Sequence, residues 1–403
     1  MPINLTGKAS NILKTEKAND NDKDTAKPSR DDSQKASNNN NFNNGNLVNK
    51  LNNLLLRFSR VSLKEKLFFV QYLAIMLKAG ISLSGGLKTL AKQTTNKYFA
   101  YVINDMAQNV ERGVSLTESL KPHKKVFNEL FINMVEAGEV SGKLEEVLAQ
   151  IYIQLKKQHD LISKVKGALT YPVVIVVAMF GIGTFMIITV VPRLTEMLSS
   201  FEAELPIATK VLIGVSDFVV NNGLLVSVTF IVLVLMIIRI LRTYKGRYYW
   251  QAITLKLPVY SSIVKKINLA RFSRTISSLL KTDIMIIKTF QITANVLGNL
   301  HYRQAVNEMA EKIRKGSQIN QVVEVYPKLF PPVVSQIISV GEETGELDSI
   351  LAELADFYEN EIDQTMESLP SIIEPILILV LGCGIGAMAV AIIMPMYSLT
   401  SAI

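Results

Sequence analysis

Three long stretches of this 403-residue chain carry no charged side chain: 167–192, 218–238 and 375–403. A bilayer core is crossed by about 20 apolar residues in a helix, and each stretch is long enough. In lipid every backbone N–H and C=O must be satisfied inside its own segment, so runs of this length are confined to helices. Nothing elsewhere in the chain alternates with a strand period for long. The sequence therefore predicts an all-α membrane protein with three spans. The composition agrees, since 49% of the residues are apolar and the mean hydropathy is +0.26 beside 19% charged residues.

The basic residues orient the spans. Lys156, Lys157, Lys164 and Lys166 precede the first. Between the first and second lie two basic and four acidic residues, the acids being Glu196, Glu202, Glu204 and Asp217. After the second span, Arg239 to Arg274 holds nine Lys and Arg, and no acid occurs between Asp217 and Asp283. This places 61–170 and 242–371 in the cytoplasm, an external loop at 193–221, and spans at 171–192, 222–241 and 372–397, with 398–403 outside. The segment 1–60 is rich in Asn, Asp, Lys and Ser and buries too little apolar surface to offset its ordering entropy. It predicts a disordered cytoplasmic arm, with "LVNKLNNLLLRF" from Leu47 as a leading helix. The net charge of +8 collects at the membrane boundary, which points to lipid headgroups as the partner and away from nucleic acid.

Sliding the chain on itself at an offset of 203 pairs Phe69 with Phe272, Met106-Ala107 with Met309-Ala310, and Phe127 with Phe330. It pairs Gly138-Glu139 with Gly341-Glu342, Gly142 with Gly345, Leu144 with Leu347, and Pro172 with Pro375. Gly181 meets Gly384, Gly183 meets Gly386, and no gap is needed. The chain holds two copies of one unit, a helical bundle feeding a span, with an extra span returning the second copy to the same side. "SLKE" at Ser62 and "SLTE" at Ser115 have the capping-box spacing. The repeated "GEVSGKLEEVL" and "GEETGELDSIL" predict a turn in which Gly138 and Gly341 end one helix and Ser141 and Thr344 cap the next. The Glu residues of this motif have no His or Cys beside them and lack EF-hand spacing. One Cys and three dispersed His offer no metal cluster, and no nucleotide or hydrolase motif occurs. The sequence predicts no catalytic residue, cofactor or metal.

Within the spans, Gly181, Gly183, Gly382 and Gly386 indicate close helix packing, within the chain or between copies. Pro172 and Pro375 stand where the long helices meet the membrane. The absence of Asp, Glu, Lys, Arg and His inside the runs weighs against the alternative of a small transporter or channel subunit. The helix from Thr344 carries nine carboxylates and no base, among them Asp356, Glu359 and Asp363. Two readings stand: a solvated face, or a face that docks on a basic surface, namely the Arg239–Arg274 stretch in the same chain or a neighbouring copy, or a partner protein.

With "FEAELP" and "IIEPILILVLG…MPMYSL", the duplicated motif resembles the inner-membrane platform proteins of type IV pilus assembly and type II secretion (the GspF/PilC family), from about residue 60 onward. The resemblance implies tandem six-helix cytoplasmic bundles and a non-enzymatic, oligomeric scaffold. By the same resemblance, its partners are a cytoplasmic hexameric assembly ATPase, pilins or pseudopilins, and other inner-membrane alignment components. One departure is that "LKAGI" at Leu77 becomes "LKTDI" at Leu280, which puts Asp283 where the family turn has Gly.

Overall fold

The computed structural model describes residues 60–199, 207–258 and 260–400. The N-terminal arm, apart from Arg60, and the "FEAELP" piece lie outside them. The described residues are helical, without a strand. Repeat one comprises α1 (Leu63–Lys78), α2 (Leu83–Gln93), α3 (Lys97–Glu111), α4 (Leu116–Leu120), α5 (Glu129–Ser141) and α6 (Leu144–Phe185). Ser62 and Glu65 close a reciprocal capping box at the start of α1. Ser115 caps α4 through the Glu118 amide, while the Glu118 carboxylate pairs with Lys121 instead.

Four helices link the repeats: α7 (Val191–Ser199), α8 (Ile207–Asn221), α9 (Gly223–Arg242) and α10 (Tyr244–Thr254). Repeat two then runs α11 (Tyr260–Leu280), α12 (Ile286–Val296), α13 (Leu300–Arg314), α14 (Ile319–Glu324), α15 (Pro332–Thr344) and α16 (Leu347–Thr400). Each repeat is a bundle of six helices whose last member continues without a break into an apolar span. At 1.5 Å rise per residue, α6 is about 63 Å long and α16 about 81 Å. Among the described residues three helices are long and apolar enough to cross a membrane: Leu144–Met197, Gly223–Arg242 and Leu347–Met394. Their apolar windows are almost wholly uncovered by the rest of the chain, the signature of a membrane protein.

The two cores repeat the same knot of aromatic rings. Phe69, Phe99 and Phe127 stand 5.5–6.2 Å apart by ring centroids. Their counterparts are Phe272, Tyr302 and Phe330, with Phe330 5.0 Å from Phe272 and 5.4 Å from Tyr302. Burying rings of this size is worth about 1.5–3 kcal/mol each. The extra hydroxyl of Tyr302 donates to the Leu329 carbonyl at 2.6 Å, so the substitution leaves no orphan polar group in the core.

The external loop expected over 193–221 is largely helical. The apolar spacing of Ile207–Asn221 carries that helix, whereas the charges of the segment report only its side of the membrane. Thr209 of α8 donates to the Ala391 carbonyl at 2.6 Å, which ties α8 to the third span. Ser216 donates to the Ile187 carbonyl at 2.7 Å, inside a π-helical turn at Met186–Val190. Pro192 explains that turn. It lacks an N–H and its ring crowds the carbonyl four residues back, so the helix widens and a neighbouring hydroxyl takes up a freed acceptor.

Candidate functional site

The duplicated motif builds a turn, with its parts assigned differently from the sequence expectation. Gly142 and Gly345 are the residues in the left-handed conformation, at φ +71° and +75°, and they end α5 and α15. Gly138 and Gly341 lie inside those helices and serve close approach. A Cβ on Gly138 would sit 2.8 Å from Val147 Cγ2, and one on Gly341 would sit 3.1 Å from Leu347 Cα. Ser141 and Thr344 do not cap the following helices. Their hydroxyls bond back to Ala137 and Val340 in their own last turns. Leu144 and Leu347 open the next helices and pack on the edge of each core.

Glu139 and Glu342 have a tertiary role that sequence reasoning missed. The Glu139 carboxylate accepts from Leu116 N (2.6 Å), Thr117 N (2.9 Å) and Thr117 Oγ1 (2.6 Å). Glu342 accepts from Ile319 N (2.9 Å) and Asn320 N (3.1 Å). Each satisfies the orphan amides at the start of the short fourth helix, α4 or α14. The available signal was the shared spacing of 23 residues between the Glu and that helix start in both copies. Asp283 takes the left-handed conformation at φ +58°, so it preserves the turn that Gly80 makes in repeat one.

The repeats meet along a polar seam. The Ser278 hydroxyl donates to Gln154 Oε1 at 3.1 Å, and Gln154 Nε2 reaches Thr275 Oγ1 at 3.5 Å. Beside it, α6 and α16 run in the same direction, joined by ion pairs. Lys157 bonds Asp356 and Glu359, each at 2.8 Å, and Lys164 bonds Asp363 one to two turns further along. Arg274 of α11 completes the cluster, with Nε 3.0 Å from Glu359 and Nη2 bonded to Asp356. Asp356, Glu359 and Asp363 are thus engaged within the chain. Arg274 belongs to the acid-free stretch, whereas Lys157 and Lys164 come from repeat one.

Burial alone would raise the Asp356 pKa. The hydrogen bonds and charges of Lys157 and Arg274 outweigh it and hold the carboxyl below its usual range. Burial likewise opposes the charges on Lys157 and Arg274, but their acidic partners more than compensate and raise both. Arg271 lacks that compensation, and burial lowers its pKa.

In the spans, Pro172 is buried within α6 and Pro375 is exposed. No side chain or neighbouring backbone stands within 4 Å of a Cβ placed on Gly181, Gly183, Gly382 or Gly386. These small residues therefore do not mediate packing within the described chain. A cavity of about 620 Å³ lies between α10, α13 and the segment after α14, and Tyr248, His301, Tyr326 and Lys328 line part of it. There the Tyr326 hydroxyl donates to Glu308, and in repeat one the matching positions hold a His123–Asp105 pair at 2.8 Å. Among the described residues no three His, Cys, Asp or Glu gather in a way that could hold a metal.

The model of the type II secretion system protein F family matches residues 69–192 and again 272–395. Both boundaries of the second match are displaced by the offset of the internal repeat. The chain belongs to the type II secretion system protein F family. Members of both machines are among its relatives. It is 35% identical over 337 residues to the type IV pilus assembly protein PilC of Thermus thermophilus, covering 84% of this chain and 83% of that one. It is 33% identical over 347 residues to PilC of Myxococcus xanthus, covering 86% and 83%. To the type II secretion system protein F of Vibrio cholerae it is 30% identical over 341 residues, covering 85% and 84%.

Proposed function

We propose that this protein is the inner-membrane platform of a type IV pilus or type II secretion machine. Both bundles face the cytoplasm, where they receive a hexameric assembly ATPase, and the spans contact pilin or pseudopilin subunits and neighbouring inner-membrane components. Family membership and the names of the relatives support the machine. The excess of Lys and Arg before the first span and after the second supports the orientation.

One observation carries the coupling role: each bundle is continuous with a span through a single unbroken helix, α6 or α16, and ion pairs clamp the two helices together. A bundle displaced by a motor in the cytoplasm therefore moves its span as a rigid lever, because no loop intervenes to absorb the motion. No nucleotide or catalytic motif lies in the chain, so in this reading the energy comes from the partner.

Four glycines inserted after Gly167 test the lever. They unwind α6 between bundle and membrane while leaving both folded parts intact. The expected result is normal insertion and abundance with loss of surface fibres or of secretion. Wild-type assembly from the interrupted protein would refute the coupling.

A further inference from the structure

The seam between the repeats is one-sided. Repeat one offers a groove on α5 and α6, containing Leu130, Met134, Val147 and Gln154, and all four are buried. Repeat two fills it with the α11–α12 hairpin, and Leu279, Ile284 and Ile292 join the repeat-one core. The contact is heterologous, because the surface given by one repeat differs from the surface given by the other. Each repeat carries both surfaces, so among the described residues one surface of each kind is left unused.

The unused groove lies on α15 and α16 of repeat two. Val333, Ile337, Val340, Ile350, Leu354 and Phe357 line an apolar cavity of about 460 Å³ there. Val333 and Phe357 match Leu130 and Gln154 but are 46% and 53% exposed. The unused hairpin face is on α1 and the turn after it. Tyr72, Ile75 and Ile81 match Thr275, Ser278 and Ile284; the repeat-two residues are buried, whereas these three are 44–54% exposed.

The chemistry of the two open faces matches across the same register. In the closed seam Gln154 meets Thr275 and Ser278 through hydrogen bonds. At the open faces Phe357 replaces Gln154, and Tyr72 and Ile75 replace Thr275 and Ser278. A polar set has become apolar on both sides together. Exposed apolar patches rimmed by polar residues mark interaction surfaces. The ionic ladder does not carry over, since Asn360 and Glu367 stand where repeat one has Lys157 and Lys164. The open contact is therefore held by apolar burial.

We propose that a second copy of this chain fills the open groove, its α1 face seated on α15 and α16 as the α11–α12 hairpin is seated on α5 and α6 within the chain. The relation between the repeats fits a membrane. The ladder shows α6 and α16 running parallel, so the operation that carries repeat one onto repeat two keeps the spans pointing the same way. Repeating it places the next copy in the same bilayer, and head-to-tail contacts of this kind build rings or open stacks. The proposal stands on the repeat geometry and does not depend on the pilus or secretion reading.

The test uses full-length protein with Cys383→Ser, two affinity tags and co-expression in one membrane. One chain carries Ile75→Cys and the other Phe357→Cys, both at exposed positions that tolerate a thiol. A short bis-maleimide should give a mixed dimer carrying both tags, while either variant expressed alone stays monomeric on a denaturing gel. A chain carrying both cysteines should give a ladder of dimers, trimers and larger species. Lys157→Cys with Asp356→Cys, partly exposed positions that face each other within one chain, cross-links internally and reports that the reagent reached the membrane-bound protein. Monomer alone while that control reacts would overturn the proposal. So would dimers formed by a single variant with itself, which indicate a two-fold contact.

Discussion

Truncating Arg274 to Ala removes the central cation of the inter-repeat cluster. Its side chain is 11% exposed, and it bonds Glu359 in bidentate fashion and Asp356 through Nη2. After truncation Glu359, 16% exposed, keeps only Lys157 at 2.8 Å. Removing one partner of a fully buried pair costs about 3–5 kcal/mol, and an exposed pair is worth about 0–1 kcal/mol. Asp356 is half exposed, which places the network between these limits, at about 2–3 kcal/mol. Each kcal/mol moves the midpoint of a domain of this size by about 2–4 °C, so Arg274→Ala should melt roughly 4–12 °C below wild type. The assay is thermal unfolding of the full chain in detergent at pH 7, followed by circular dichroism. Arg274→Lys, which keeps the charge without the planar fork, should fall between the two.

The pH dependence has a definite sign. Asp356 has a lowered pKa, so its contribution is complete above the ordinary carboxylate range and is lost as pH falls through its own value. Lys157 and Arg274 are raised, so theirs is complete below the ordinary Lys and Arg values and is lost only at higher pH. The gap between wild type and Arg274→Ala should hold across neutral pH and narrow on acidification. A variant that melts with wild type, or a gap that widens in acid, would refute this reasoning.

Glu139→Ala should cost about 1.5–3 kcal/mol, the worth of hydrogen bonds to a charged acceptor, and should speed hydrogen exchange at the Leu116 and Thr117 amides; Glu342→Ala should do the same at Ile319 and Asn320. Gly142→Ala should destabilise by about 1 kcal/mol through its left-handed backbone. Gly138→Ala should cost more, because Val147 stands in the way. Melting of the paired variants checks the order, and Gly138→Ala milder than Gly142→Ala would contradict the assignment.

The architecture was legible because the repeat runs through the chain without a gap. A shift of 203 aligns the core aromatics, the turn glycines and the membrane prolines, and three charge-free runs of span length admit only helices. The motif was recognisable as a turn, but its glycines were assigned one helical turn too early. A sequence shows that two glycines are present; which one needs positive φ and which one needs space depends on the helix packed alongside. Glu139 and Glu342 escaped for the same reason, since the amides they cap lie on another helix. From sequence the acidic face of α16 reads as solvated or as docked on a basic surface, and Arg274 of the acid-free stretch is one of its partners. Its partners Lys157 and Lys164 lie 199 residues earlier, and only the parallel packing of α6 and α16 brings them together. Asp283 looks like a break in the pattern, yet Asp tolerates the left-handed region well enough to keep the turn.

Sidedness of the membrane is the central claim, and thiol labelling in sealed right-side-out vesicles measures it. In a Cys383→Ser background, single cysteines replace Lys124 in repeat one, Gln336 in repeat two and Lys210 between the first two spans, all at exposed positions. Ser119 is unsuitable because it is buried in the fold whichever side it faces. An impermeant maleimide should label Lys210→Cys alone while the vesicles are sealed, and all three once they are opened. Labelling of Lys124→Cys or Gln336→Cys in sealed vesicles, or protection of Lys210→Cys, would contradict a platform whose two bundles share the cytoplasmic face.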